Sequence, residues 1–273
     1  MENQDIKSLL LTPEQMADKY NELHDAEYQF PYFYKIGRGS QILFYVGAHH
    51  FFDPTNYQLP KIRKYWSEFL NCTNKANSVV LVEGGTRPVE ENEAKAILEG
   101  GEASFLTYLA DKEGIDCHSP EPDDVNELSL LATQFSIEDI CYQRFARTAN
   151  QWSRLQEPRP DFGLYVSRYL ERDKKLMGWD IDVSIEAFGR VHDKSRGHKF
   201  SVEGCISNKC FRSDSNPISN KISAASSVYR DVYIMQEILR LWGGGWGKSI
   251  FIIYGSGHAL VHEPALKALL IQR

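Results

Sequence analysis

The chain has 273 residues, of which 42% are hydrophobic, 12% aromatic and 25% charged. A chain of this size and make-up can bury about 70 to 75% of its unfolded surface, so disordered and fibrous classes are excluded. Lys+Arg 31 against Asp+Glu 37 leave a net charge of -6, which argues against nucleic-acid binding through a diffuse basic surface.

The longest apolar stretches, Ile42 to Val46 and Ile250 to Tyr254, fall far short of the roughly 18 residues of a membrane-spanning helix. Met1 to Asp5 is polar, and Leu9 to Leu11 is too short for the apolar region of a secretory signal. No membrane span and a cytoplasmic location are the expectations. Cys72, Cys117, Cys141, Cys205 and Cys210 make an odd count without a Cys-x-x-Cys pair. Neither a disulfide framework nor a zinc knuckle is therefore predicted, and most of the thiols are expected to be reduced and buried.

In chain order, Thr12-Pro13-Glu14-Gln15 supplies an N-cap, a proline at the first helical position and a capping-box Gln, which predicts a helix over Glu14 to Leu23. Tyr32 to Ile36 and Gln41 to Val46 are aromatic and β-branched runs around Gly37-Arg38-Gly39-Ser40, a hairpin pattern. The second of these strands ends at Gly47-Ala48-His49-His50. A helix is expected from about Pro60 to Phe69, then a fully buried strand over Ser78 to Val82 that ends at Glu83-Gly84-Gly85. Glu90 to Leu98 and Ala103 to Glu113 read as helices separated by Gly100-Gly101, with a short strand near Ile115 to His118.

Long helices are predicted from about Asp123 to Arg172. Periodicity weakens over Asp182 to Asn220, which reads as an irregular insertion or a lid. Helical spacing returns from Ser226 to Trp242. Ile250 to Tyr254 is a second buried strand, running into Gly255-Ser256-Gly257-His258, and Pro264 to Leu270 reads as a terminal helix. Strands that are apolar throughout and alternate with helices indicate an α/β class with a mostly parallel or mixed central sheet flanked by helices, in one domain over residues 1–273.

Two familiar motifs fail on context. Trp246-Gly247-Lys248-Ser249 lacks the first glycine of a phosphate-binding loop, since position 242 is Trp242, and it precedes a strand where the motif needs a helix. His258 and His262 are four apart, but no His-Glu-x-x-His sequence exists, and Pro264 reads as a helix start, which disfavours a zinc-protease helix.

The stronger signal is Gly-x-x-His twice, at Gly47 to His50 and at Gly255 to His258, each directly after a buried strand. Ligands of open α/β sheets bind outside the carboxyl ends of strands, and glycine lets the backbone approach them. One such His more often caps a turn or satisfies a carbonyl; two in the same context point to a site. Glu83 closes a core strand, where a carboxylate needs a cation or donor to offset desolvation. Glu102 either begins its helix favourably or belongs to the site. Arg230 is either a solvated helix charge or a cation that steadies an oxyanion.

Together, the paired Gly-x-x-His motifs, the Glu closing the strand between them, the late Arg-bearing helix and the final strand running into Gly-Ser-Gly-His resemble the TraB/PrgY/GumN and Tiki superfamily. That group is related to erythromycin esterases and to haem-binding ChaN proteins, and the likeness covers about Gln41 to Glu121 and Ser226 to Leu270. The resemblance implies hydrolysis of a peptide or of a small-molecule ester or amide. His50, Glu83, Arg230 and His258 would form its site, with Glu102 and Glu121 as weaker matches. In this reading His50, Glu83 and His258 hold a divalent metal (Mn, Co or Zn) or a water, Glu102 helps to move protons, and Arg230 steadies negative charge. Gly47, His49, Gly255 and Ser256 would lie against the substrate. The alternative reading is a non-catalytic protein that holds a peptide or haem in the same crevice.

Overall fold

The computed structural model describes residues 3–153, 155, 158–196, 199–206, 217–243 and 247–271. In chain order the elements are α1 (Asn3–Leu9), α2 (Pro13–Asp25), β1 (Tyr32–Arg38), β2 (Gln41–Ala48), α3 (Leu59–Cys72), β3 (Ser78–Val82), α4 (Glu93–Glu113) and β4 (Asp116–His118). They continue with α5 (Asp124–Ala132), α6 (Ile137–Ser153), α7 (Phe162–Met177), α8 (Ile185–Arg196), α9 (Val202–Ile206), α10 (Pro217–Gly243), β5 (Ser249–Gly255) and α11 (Ser256–Ile271). The class is α/β. The sequence expects one domain, whereas the contacts cluster into two compact units, Met1–Glu121 with Asp231–Arg273, and Pro122–Arg230.

The first unit holds a five-stranded sheet in the order β1-β2-β5-β3-β4. β1 is antiparallel to β2, and the other pairs are parallel. Ala48 pairs with Gly255 and Val82 with Ile253, so the carboxyl ends of β2, β5 and β3 lie side by side. This register brings the two Gly-x-x-His turns and Glu83 to one edge of the sheet.

Strands covered on both faces read as unbroken apolar runs, and every residue of β3 and β5 is buried. On one face Phe44, Val46, Val80 and Phe251 pack with Ile62, Trp66 and Phe69 of α3 and with Ile97, Phe105 and Leu106 of α4. On the other face α11 packs against β1 and β2. A Cβ at Gly47 would lie 2.6 Å from that of Ala259 and 3.0 Å from the Ser256 Cα. Gly47, expected beside a substrate, therefore serves the seating of α11.

The helix starts follow from their caps. Thr12 accepts from the Gln15 N–H while Gln15 Oε1 accepts from the Thr12 N–H, a complete capping box. α11 departs from expectation: it begins at Ser256, directly off β5, and Pro264 lies inside it. Proline reads as a start signal in the sequence, but here it lies inside a helix already under way, which it deprives of one interior N–H.

The second unit, as described, is helical. Phe145, Trp152, Phe162, Val166 and Phe188 form one apolar cluster, and Leu128, Leu131, Ile140 and Ile222 form another. Asp173, 3% exposed, is paired with Arg144 at 2.7 Å and with Arg172 at 3.0 Å, as a buried carboxylate requires. Within 182–220 the described residues hold α8, α9 and the start of α10, and Val183 and Phe188 belong to the first cluster. Of the cysteines, Cys72 is exposed, Cys117 half-buried and Cys141 buried, with its thiol pushed up to about 11 by burial. Cys210 and the side chain of Cys205 lie outside the described residues. Among the described residues no helix is long and apolar enough to cross a membrane.

Candidate functional site

His49 and His50 follow β2 and point to different surroundings. The His49 ring stacks on Phe30, with centroids 3.7 Å apart. Its backbone is clamped at both polar atoms by the buried Gln58 amide: the His49 N–H donates to Oε1 at 3.0 Å, and Nε2 donates to the His49 carbonyl at 2.7 Å. Burial and the neighbouring His50 push the His49 pKa down.

With His49 fixed, His50 turns toward Glu102 and Glu83. Its Nδ1 lies 2.5 Å from Glu102 Oε1, and its Nε2 lies 3.9 Å from Glu83 Oε2. The hydrogen bond to Glu102 is the main reason that the His50 pKa is raised; burial and the Arg87 charge oppose it.

A break in α4 positions Glu102. Gly100 and Gly101 leave helical geometry, and Gly101 adopts φ 64°, where a Cβ would also strike the Phe51 carbonyl oxygen at 2.6 Å. Glycine is thus required at 101 on both backbone and steric grounds. The chain resumes its helix at Glu102, whose second oxygen accepts from the Phe51 N–H at 3.3 Å.

Glu83 follows β3 and lies against the last residue of β5. Its Oε2 accepts from the Gly255 N–H at 2.6 Å. Arg87 folds back to donate to the Glu83 carbonyl oxygen from Nε at 3.3 Å and from Nη2 at 3.1 Å. Glu121, a weaker match in the sequence, accepts from the Gly84 N–H at 3.1 Å and so supports this turn.

The third part of the site is a buried chain of polar groups on α10, α11 and β2. Asp231 Oδ1 accepts from His258 Nδ1 at 2.7 Å and from His262 Nε2 at 2.9 Å, and His262 Nδ1 meets the Tyr45 hydroxyl at 2.9 Å. An ionised carboxylate only accepts, so both imidazoles present N–H to it. Burial alone would raise the Asp231 pKa, but the hydrogen bonds from His258 and His262, with their charges, hold it well below the usual carboxylate range. A neutral His258 protonated on Nδ1 carries its lone pair on Nε2, which faces Glu83 Oε1 at 3.8 Å. The same logic for His50 and Glu102 puts that lone pair on Nε2 too. Two carboxylate-backed imidazoles therefore face one carboxylate from two sides.

Asp231, His258 and His262 bring ligand atoms within 4.8 Å of one another and could hold a metal ion. Their contacts of 2.7 and 2.9 Å are hydrogen-bond lengths, and His262 is fully buried, so an ion there would have to displace both ring protons.

Of the residues singled out in the sequence, His50, Glu83, Glu102, His258 and Gly255 come together. Ser256 shares its Oγ with the Tyr20 hydroxyl at 2.8 Å. Arg230 is half-buried on α10 and falls in the other compact unit; its neighbour Asp231 is the residue that meets His258. Sequence reasoning missed Asp231, His262, Tyr45, Gln58 and Arg87. The i, i+4 spacing of His258 and His262 is a usable signal once α11 is started at Ser256; Gln58 leaves none. Comparison with family models, with curated proteins and with solved structures finds no match to this chain.

Proposed function

We propose that the protein hydrolyses amide or ester bonds, in the manner of the TraB and Tiki superfamily. In this reading His50 Nε2, Glu83 and His258 Nε2 hold one divalent ion, zinc, manganese or cobalt. The observation that carries it is the pair of carboxylate-backed imidazoles turned to Glu83 at 3.9 and 3.8 Å. These gaps are too wide for hydrogen bonds; the three ligand atoms do not all lie within 4.8 Å of one another, as those of Asp231, His258 and His262 do, so an ion with bonds of about 2 Å would draw the two rings in toward Glu83. Two imidazoles and a carboxylate are a frequent catalytic set that leaves a position for water. A zinc ion held there would lower the pKa of its water to about 7.

The surrounding residues have separate tasks. Glu102 and Asp231 hold the two rings in the tautomer that presents Nε2, the usual arrangement behind a metal-bound histidine. This gives Glu102 a positioning role in place of proton transfer. Arg87, bound to the Glu83 carbonyl, is the cation that steadies negative charge on the substrate.

The test is hydrolysis of a p-nitrophenyl ester and a chromogenic peptide amide by the purified full chain. Activity should fall on chelation and return with Zn²⁺, Mn²⁺ or Co²⁺, and His258→Ala should lower both rate and bound metal. Full activity after thorough demetallation, with His258→Ala still inactive, would overturn the ion and leave His258 or Glu83 as general base.

A further inference from the structure

Next to the His50 turn, α2, the segment leading into β1 and His49 enclose an open cleft of about 900 Å³, lined by Tyr20, Tyr28, Phe30, His49, Asp25 and Glu27 among others. That volume is in the range of small-molecule sites. Its aromatic wall is pre-arranged. Phe30 stacks on His49 at 3.7 Å, Tyr28 meets Phe30 edge-on at 5.6 Å, and Tyr28 also touches Tyr32 at 5.6 Å. Two carboxylates, Asp25 and Glu27, line the cleft together with His24, whose Nδ1 lies 3.6 Å from Asp25 Oδ1, and no lysine or arginine does so among the described residues.

The cleft is joined to both histidine-bearing turns. His49, clamped by Gln58, immediately precedes His50. Tyr20 is hydrogen-bonded to Ser256, the residue after Gly255, whose N–H holds Glu83. The cleft thus borders the turns that carry His50 and His258.

We propose that this cleft is the substrate-binding subsite of the hydrolase read above, and that it selects an organic cation, a quaternary ammonium or protonated amine next to the scissile bond. Ring faces of tyrosine and phenylalanine attract such cations through their quadrupole. The two carboxylates add charge of the matching sign, whereas a carboxylate- or phosphate-bearing group would meet repulsion. The proposal rests on the hydrolase reading for its chemistry, but the binding itself can be measured separately.

The experiment uses the full chain with choline and its neutral isostere 3,3-dimethylbutan-1-ol as probes, followed by nuclear magnetic resonance titration, and then the acetate esters of both alcohols as substrates. Choline should bind about 10-fold more tightly than the isostere. Tyr28→Ala and Glu27→Gln should each remove most of that preference, while His258→Ala should keep it. The same ratio should appear in kcat/KM for the two esters. Equal binding of both probes, or a preference untouched by Tyr28→Ala and Glu27→Gln, overturns the subsite. If choline binds selectively and neither ester is cleaved, the cation selectivity stands and the hydrolase reading falls.

Discussion

A Cβ at position 255 would lie 2.9 Å from His50 Nε2, 3.2 Å from His50 Cε1 and 3.3 Å from Glu83 Oε2. The requirement for glycine is purely steric, because the His50 ring and the Glu83 carboxylate pack directly over the backbone at the end of β5. A methyl group would push His50 away from Glu83 while disturbing little of the core. Gly255→Ala should therefore keep a cooperative melt but lose about 10- to 100-fold in activity or metal affinity, the scale seen when the support of a metal ligand is removed. Metal content by elemental analysis, measured beside the rate, checks this. A Gly255→Ala variant with full metal and full rate would show that His50 does not act where it packs. The other glycine of the repeated motif, Gly47, has a different reason to be small, since its neighbour is Ala259. The repetition is therefore one of sequence context, with separate packing causes at its two occurrences.

At the scale of elements, legibility followed burial. β3 and β5 have no exposed residue, so their unbroken apolar runs indicated a central sheet, mostly parallel or mixed. Placing the histidine turns and Glu83 at its edge then followed from the usual site of ligands. The start of α11 was not legible, because β5 passes into the helix without a loop residue and Pro264 imitates a start signal. With the helix started at Pro264, the spacing of His258 and His262 carried no weight, and the carboxylate between the two rings went with it. Asp231 was hidden for another reason: on α10 it stands beside Arg230, and only the tertiary fold decides which of two adjacent residues faces α11. The sheet's dependence on its central strand can be measured. Phe251 is fully buried and its ring meets Phe44, Trp66 and Phe69. Phe251→Ala should cost about 3–5 kcal/mol in urea unfolding, while Leu164→Ala, at a side chain 76% exposed, should stay within about 0.5 kcal/mol. Similar losses in the two variants would refute this account of the core.

At the scale of the molecule, the proposed centre is drawn from distant parts of the chain. His50, Gln58, Glu83, Arg87 and Glu102 precede the excursion into the second unit, and Asp231, Gly255, His258 and His262 follow it. The last residue before the excursion, Glu121, and the first after it, Asp231, both hold parts of the site. A ligand bound across such separated segments binds the folded first unit and not its unfolded chain, so it must stabilise that unit. The gain is about 2.7 kcal/mol when free ion reaches 100 times its dissociation constant, or a rise of about 5 to 10 °C in Tm for a chain of this size. Calorimetric scans with and without Zn²⁺, Mn²⁺ or Co²⁺ should show that rise. His50→Ala should abolish it, because His50 supplies one of the three proposed ligands. His262→Phe should lower the starting Tm, since it strips hydrogen bonds from Asp231 and Tyr45, yet keep most of the ion-dependent increment. The reverse pattern, an increment that survives His50→Ala and disappears in His262→Phe, would move the ion to the Asp231, His258 and His262 group. Glu83 would then face the substrate as a general base without metal contact.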